Sequence, residues 1–232
     1  MSFKDKIALV TGASRGLGFA VATALADAGA NVIALARTQG GLEALDDQIA
    51  DIGGPAPVLI PLDIAKPDQV AGLTAALASR FSHLDLWIHT AVYAPPLSPV
   101  EHLDPKDLSN SLSVNLTGTA ELIKAVDPLL RRSSAGRAVF FDDPEATQGG
   151  VHGAYGAGKT GALTLVRAWG ETLSKTSPAR VIVTAPPPMP TGLRGRFYPG
   201  EDTSGLKKPK TVAEQLLGHL MAGTLSNLDI IG

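Results

Sequence analysis

Residues 11–18 read TGASRGLG, and this glycine-rich turn decides the fold. Before it, Ile7–Val10 is a short apolar, β-branched run, which predicts a buried strand. After it, Leu17–Ala28 has apolar residues at helical spacing and ends at Gly29, a residue type typical of helix C-termini. A strand, a glycine-rich turn and a helix N-terminus together allow phosphate oxygens to approach backbone N–H groups closely. The sequence therefore predicts a dinucleotide-binding turn.

The rest of the chain alternates between predicted strands and helices. The further predicted strands are Asn31–Ala36, Pro57–Leu62, Leu84–His89, Arg137–Phe141 and Arg180–Ala185, with a short candidate at Asn227–Ile231. The further predicted helices are Leu42–Ile52, Val70–Phe81, Leu108–Leu130, Ala154–Ser174 and Thr211–Ala222, and residues 186–209 form a predicted loop. This alternation predicts an α/β fold, a Rossmann-type doubly wound parallel sheet with helices on both faces. No composition break marks a second domain, so residues 1–232 are predicted to form one domain.

Composition excludes other classes of protein. Apolar residues make up 44% of the chain and charged residues 18%, which is typical of globular proteins. The net charge of -2 disfavours a nucleic-acid partner, and no apolar stretch approaches the ~18–20 residues of a membrane span. The absence of cysteine and of a signal peptide favours a cytoplasmic protein. No histidine has the spacing of a metal site, so no metal is expected. The expected partner is a small-molecule substrate.

The spacing of Gly12, Gly16 and Gly18 resembles that of the classical short-chain dehydrogenase/reductase family. The resemblance covers roughly residues 5 to 225. Other positions that match the family are Asp63 after the third strand, Asn115 in the long helix, the Tyr155-x-x-x-Lys159 pair and Thr191 after the sixth strand. The cofactor-binding residues that the resemblance implies are Gly12, Ser14, Arg15, Gly16, Leu17, Gly18, Arg37, Asp63, Ile64, Ala91, Tyr155, Lys159 and Thr191.

The end of the second strand indicates which cofactor is bound. An acidic residue there would bind the ribose 2′-OH and repel a 2′-phosphate. This strand ends instead in Leu35-Ala36-Arg37, and Arg15 lies in the glycine-rich turn. Two guanidinium groups favour NADP(H) over NAD(H). The alternative is that both are ordinary surface arginines.

The candidate catalytic residues lie in two predicted helices. Tyr155 and Lys159 are four positions apart and therefore share one helix face. The resemblance implies that Tyr155 exchanges a proton with the substrate oxygen. It also implies that Lys159 lowers the tyrosine pKa from about 10, and that Asn115 holds a water molecule.

One family position differs in a way that affects the chemistry. Where the family has a serine after the fifth strand, this chain has Asp142, followed by Asp143. An ionised carboxylate cannot donate a hydrogen bond to a carbonyl, and its charge opposes a developing oxyanion. Asp142 is therefore a fourth candidate catalytic residue. Val92 and Pro187 also stand where the family has glycine.

These observations predict an NADP(H)-dependent oxidoreductase that acts on a carbonyl or an alcohol. Two alternatives stay open: a noncatalytic NADP(H)-binding sensor or assembly subunit, and an enzyme of altered chemistry with Asp142 as its base. Residues Arg194–Tyr198 either recognise an anionic or aromatic ligand or form a solvated loop. The family pairs its two long helices between subunits, which implies a homodimer or homotetramer.

Overall fold

The computed structural model describes residues 2–225 and contains a six-stranded parallel sheet with helices on both faces. The strands are β1 (Ile7–Thr11), β2 (Asn31–Ala36), β3 (Val58–Pro61), β4 (Leu86–His89), β5 (Arg137–Phe141) and β6 (Arg180–Thr184). Their order is β3-β2-β1-β4-β5-β6, and every neighbouring pair is parallel. The order reverses between β1 and β4, which opens a crevice at the carboxyl ends of these strands. The predicted doubly wound fold is confirmed.

Nine helices accompany the sheet in the described residues. They are α1 (Gly16–Asp27), α2 (Gln39–Asp51), α3 (Pro67–Arg80), α4 (Pro105–Ser111), α5 (Thr119–Leu130), α6 (Pro144–Gln148), α7 (Gly153–Thr176), α8 (Gly192–Phe197) and α9 (Pro209–Ala222). Apolar side chains of α1, α2 and α9 pack on one sheet face, and those of α3, α5 and α7 pack on the other. Within residues 2–225, no helix combines the length and the apolar content needed to cross a bilayer.

Two short helices correct the predicted loops. The prediction of a loop over residues 186–209 was wrong because α8 forms inside it, where Thr191 Oγ1 accepts the Arg194 N–H at 3.3 Å. Helix α6 was not predicted; it begins at Pro144, and Asp143 Oδ1 accepts the Ala146 N–H at 3.3 Å. The strand expected at Asn227–Ile231 lies outside the described residues.

The helix predicted as continuous over Leu108–Leu130 has a π-helical turn, Leu112–Gly118, between α4 and α5. A Cβ atom on Gly118 would lie 2.7 Å from the carbonyl oxygen of Ile64, so the turn packs closely on the segment after β3. Asn115 lies in this turn. The irregular turn thus lies at the same edge of the sheet as the crevice.

Candidate active site

The glycine-rich turn forms a close-packed cradle between β1 and α1. Gly12 has φ +85°, and a Cβ atom there would lie 2.6 Å from the backbone nitrogen of Ala91. A Cβ atom on Gly18 would collide with the Gly12 carbonyl and with Thr90 Oγ1. No side chain among residues 2–225 caps the N-terminus of α1. The uncapped N–H groups and the missing Cβ atoms leave room for a phosphate group against the backbone.

Two exposed arginines flank the cradle at the end of β2. Arg37 follows β2 directly, and Arg15 precedes α1. A Cβ atom on Gly41 would lie 2.7 Å from Ser14 Cβ, so the beginning of α2 packs against the glycine-rich turn. Among residues 2–225, no carboxylate forms an ion pair with either arginine. Both guanidinium groups are therefore available to a phosphate.

The other predicted cofactor residues lie at the same edge of the sheet. Asp63 accepts the Ala65 N–H at 3.0 Å through Oδ1, and the Ile64 side chain is buried. Thr191 is 3.5 Å from the position that a Cβ atom on Gly16 would occupy. The segment that carries Thr191 therefore touches the cradle.

Tyr155 and Lys159 lie on neighbouring turns of α7. Tyr155 is 1% exposed, and its hydroxyl donates to Asp143 Oδ2 at 3.4 Å. Burial first, and then the negative charges of Asp143 and Asp142, raise the pKa of Tyr155 well above its usual value. The expected lowering of this pKa by Lys159 was therefore wrong for this conformation. Burial lowers the pKa of Lys159, and the two carboxylates partly offset that effect.

The carboxylate next to Tyr155 belongs to Asp143. Asp142, which the resemblance predicts at the position of the family serine, accepts the Asp143 N–H at 2.8 Å through Oδ1, and its Oδ2 lies 3.6 Å from Arg167 Nη2. Sequence reasoning named Asp143 only as the neighbour of Asp142. The signal that could have identified it is the Asp143-Pro144 pair, because an N-cap aspartate at a strand-to-helix turn has a defined direction.

Asn115 uses its side chain to hold the segment after β4. Its Oδ1 accepts the Tyr93 N–H at 2.7 Å, and its Nδ2 donates to the Tyr93 carbonyl at 2.9 Å and to Ser111 Oγ at 3.0 Å. Both amide hydrogens are therefore used within the protein. The water-holding role of Asn115 stays a prediction, and the structure adds a positioning role.

His89 is a buried site residue, which the sequence placed only at the end of a predicted strand. Its Nδ1 lies 2.7 Å from Thr11 Oγ1, and its Nε2 lies 3.1 Å from Thr119 Oγ1. Thr119 donates its own proton to the Asn115 carbonyl at 2.8 Å, so we assign the imidazole proton to Nε2. Burial, and then the charge of Lys159, lower the pKa of His89 to about 3. His89 is therefore a neutral link between β1, β4 and α5.

Helix α8 covers Tyr155. The ring of Phe197 packs edge-on against Tyr155, with centroids 4.9 Å apart, and Val92 joins this apolar cluster. Arg194 donates to both carboxylate oxygens of Glu201 at 2.7 Å and to Glu145 Oε2 at 3.1 Å. Of the two alternatives for Arg194–Tyr198, the solvated loop was wrong, because residues 194–197 belong to helix α8 and side-chain contacts hold the segment.

Comparison with known proteins finds similar sequences over most of the chain. A sequence model of the family described as short chain dehydrogenase matches residues 6–202. D-threitol dehydrogenase from Mycolicibacterium smegmatis is 32% identical over 208 residues, which cover 88% of this chain and 77% of that protein. L-fucose dehydrogenase from Mus musculus is 35% identical over 131 residues, which cover 56% of this chain and 46% of that protein. The chain thus spans about half the length of the mouse relative.

Two solved structures have the same fold over nearly the whole chain. A short chain dehydrogenase from Pseudomonas syringae has a TM-score of 0.91 and 30% identity, with 99% of this chain and 95% of that chain covered. A short chain dehydrogenase from Escherichia coli CFT073, complexed with NADPH, has a TM-score of 0.87 and 28% identity, with 98% and 96% covered.

Proposed function

Because this chain belongs to the short-chain dehydrogenase family, we propose that it interconverts a carbonyl compound and an alcohol with NADP(H). The observation that carries this proposal is the placement of Tyr155 and Lys159 beside the glycine cradle. Ala91 touches the cradle at Gly12, and the next residue, Val92, packs in the cluster that contains Tyr155. Lys159 lines a small cavity together with Ala91 and Val92. A proton donor, a cation and a phosphate-sized cradle thus lie along one crevice.

The cradle fits the phosphates of a dinucleotide because Gly12 and Gly18 leave no room for side chains at that point. The N–H groups at the beginning of α1 would hold the phosphates of the dinucleotide. Asp63 and Ile64 would face its adenine end, and Thr191 would face its nicotinamide end. A bound nicotinamide would supply or accept a hydride at the substrate carbon.

Tyr155 would act as the proton donor in the reduction direction. Its raised pKa keeps the phenol protonated at neutral pH, so it holds the proton that a carbonyl oxygen gains as it becomes a hydroxyl. Lys159 places a positive charge near the Asp142 and Asp143 carboxylates, and it reduces the repulsion that a developing oxyanion would meet there. We therefore expect the enzyme to catalyse reduction faster than oxidation near neutral pH.

Turnover is tested by NADPH consumption with a panel of aldehydes and ketones. The Tyr155→Phe variant removes the hydroxyl alone and should lose about 10²–10⁴-fold in kcat. Its affinity for NADPH should stay close to that of the unsubstituted protein. Tight NADPH binding without turnover on any carbonyl would contradict the enzymatic proposal.

We propose a preference for NADPH over NADH because Arg37 and Arg15 form no ion pair among residues 2–225. If Arg37 and Arg15 both contact the 2′-phosphate, charge-assisted bonds should favour NADPH by ~1.5–3 kcal/mol. Fluorescence titration with both cofactors measures this difference. Arg37→Ala should remove much of it, whereas Arg80→Ala, which removes an exposed arginine at the end of α3, should not. Equal affinities in the unsubstituted protein would refute the assignment.

We also propose a homodimer or homotetramer formed through α5 and α7, as the family implies. Leu165 on α7 is 44% exposed in the single chain, which is consistent with a covered position in an assembly. Sedimentation equilibrium should give a mass of two or four chains, and Leu165→Glu should shift it towards one. A monomer at high concentration would contradict this proposal.

A further inference from the structure

His152 has two buried ring nitrogens with no partner. Neither Nδ1 nor Nε2 has a hydrogen-bonding group within reach among residues 2–225. In either neutral tautomer, an imidazole has one N–H donor and one acceptor nitrogen. Buried polar atoms of this kind usually have partners, because each unpaired one is destabilising. The structure therefore leaves one donor and one acceptor unused at this position.

The local sequence makes room for this imidazole. His152 is the N-cap residue of α7, one turn before Tyr155. Gly149 has φ -73°, which any residue can adopt, so backbone conformation does not require a glycine there. A Cβ atom on Gly149 would instead collide with His152 Nδ1. The glycine thus serves to accommodate the ring.

The ring of Phe197 packs against both His152 and Tyr155. Its ring centroid lies 5.0 Å from that of His152 and 4.9 Å from that of Tyr155, edge-on in both cases. Because Tyr155 is 1% exposed, a substrate reaches its hydroxyl only if a covering group moves. Displacement of Phe197 would open a space bordered by Tyr155 on one side and by His152 on the other.

The charges around this space disfavour an anionic substrate. Asp143 contacts the Tyr155 hydroxyl, and Asp142 is close enough to act on the same group. The single positive charge of Lys159 offsets only part of these two negative charges. The arginines of α8 are already engaged, Arg194 with two carboxylates and Arg196 with the Ala94 carbonyl at 2.6 Å. A neutral ligand with hydroxyl groups fits best, because a hydroxyl can both donate to and accept from an imidazole.

We infer that His152 is a substrate-binding residue that hydrogen bonds to a hydroxyl group near the reacting carbonyl. The substrates are then neutral hydroxylated aldehydes or ketones, and the products are polyols. This inference rests on the proposed reductase function, and it adds the polar group that distinguishes these substrates from simple carbonyl compounds.

The test compares two four-carbon ketones, erythrulose, which has hydroxyl groups, and 2-butanone, which has none. The measured quantity is the ratio of their kcat/KM values with NADPH as the reductant. His152→Phe keeps an aromatic ring against Phe197 but removes both nitrogens, and it should lower the ratio about tenfold, through the KM for erythrulose. His152→Asn, which restores a donor and an acceptor, should recover part of the preference. His102→Phe, which removes an exposed histidine outside the site, should leave the ratio unchanged.

If His152 has a purely structural role, the kcat/KM values for the two ketones should fall by the same factor in His152→Phe. An unchanged ratio in this variant would therefore overturn the inference. Calorimetric titration of erythrulose into the NADP⁺-loaded protein gives a readout independent of turnover. His152→Phe should weaken this binding about tenfold. If NADPH binds but neither ketone is reduced, the reductase function fails first. In that case, the absence of erythrulose binding, or equal binding by the His152→Phe variant, would overturn the inference as well.

Discussion

Replacing Asp143 with asparagine would test how the carboxylate beside Tyr155 controls its proton. Asparagine has the same size and also caps helices well, so α6 should keep its N-cap. The substitution removes the negative charge that lies 3.4 Å from the Tyr155 hydroxyl. It also offers an amide N–H to the phenolate. Both changes favour the ionised tyrosine, so the pKa of Tyr155 should fall.

The hydrogen bond sets the minimum size of the expected shift in the Tyr155 pKa. A bond to a charged group contributes about 1.5–3 kcal/mol. This bond stabilises the neutral phenol, so its loss should raise the phenolate fraction at a given pH at least about tenfold. Direct repulsion between phenolate and carboxylate, about 1 kcal/mol in a water-like medium at this distance, adds to the effect.

The assay is a near-ultraviolet titration of phenolate absorbance. The chain has three tyrosines, and the same titration of Tyr155→Phe isolates the contribution of Tyr155. In the unsubstituted protein Tyr155 should ionise above pH 10, and in Asp143→Asn it should ionise at lower pH. Circular dichroism at each pH confirms that the fold persists.

Asp142→Asn is the matched control for this experiment. Asp142 lies near Arg167 and influences Tyr155 less than Asp143 does, so its replacement should lower the pKa of Tyr155 less. An unchanged titration in Asp143→Asn would refute the reasoning. A larger shift in Asp142→Asn would restore Asp142 as the residue that acts on Tyr155.

Three further substitutions probe other parts of the site. His89 has a pKa of about 3 in the fold, so the unfolded chain binds more protons between about pH 6.5 and 3, and stability falls as pH drops through this window. Urea unfolding at pH 7 and at pH 4 measures how much the free energy of unfolding falls between these two pH values. This fall should be about 3 kcal/mol smaller in His89→Asn than in the unsubstituted protein, and an equal fall would contradict the argument. Phe197→Ala should cost about 3 kcal/mol of stability and expose Tyr155 to nitration, whereas persistent protection would show that α8 is not the cover. Gly18→Ala should abolish NADPH binding or destabilise the fold because its Cβ atom meets the Gly12 carbonyl, whereas Gly72→Ala, in open space on α3, should be neutral or stabilising.

Sequence patterns alone predicted the fold and most of the cofactor cradle. The bounds of Asn31–Ala36 and Arg137–Phe141 agree with β2 and β5, because continuous apolar and β-branched runs between turns are a local signal of buried parallel strands. The glycine-rich turn was equally clear from the sequence, because Gly12 and Gly16 have positive φ angles, which favour glycine at those positions. The pair Tyr155 and Lys159 followed from helical spacing and the family motif.

Tertiary structure decided which side chains meet at the reacting end of the crevice. Asp142 and Asp143 are adjacent in the sequence, and only the turn from β5 into α6 brings Asp143 to the Tyr155 hydroxyl. The cover that Phe197 forms and the unpaired nitrogens of His152 depend on α8 packing back onto α7. Such contacts join residues far apart in the chain, and the direction of each side chain depends on everything packed around it. The periodicity of the local sequence carries no information about these distant contacts or about the side-chain directions.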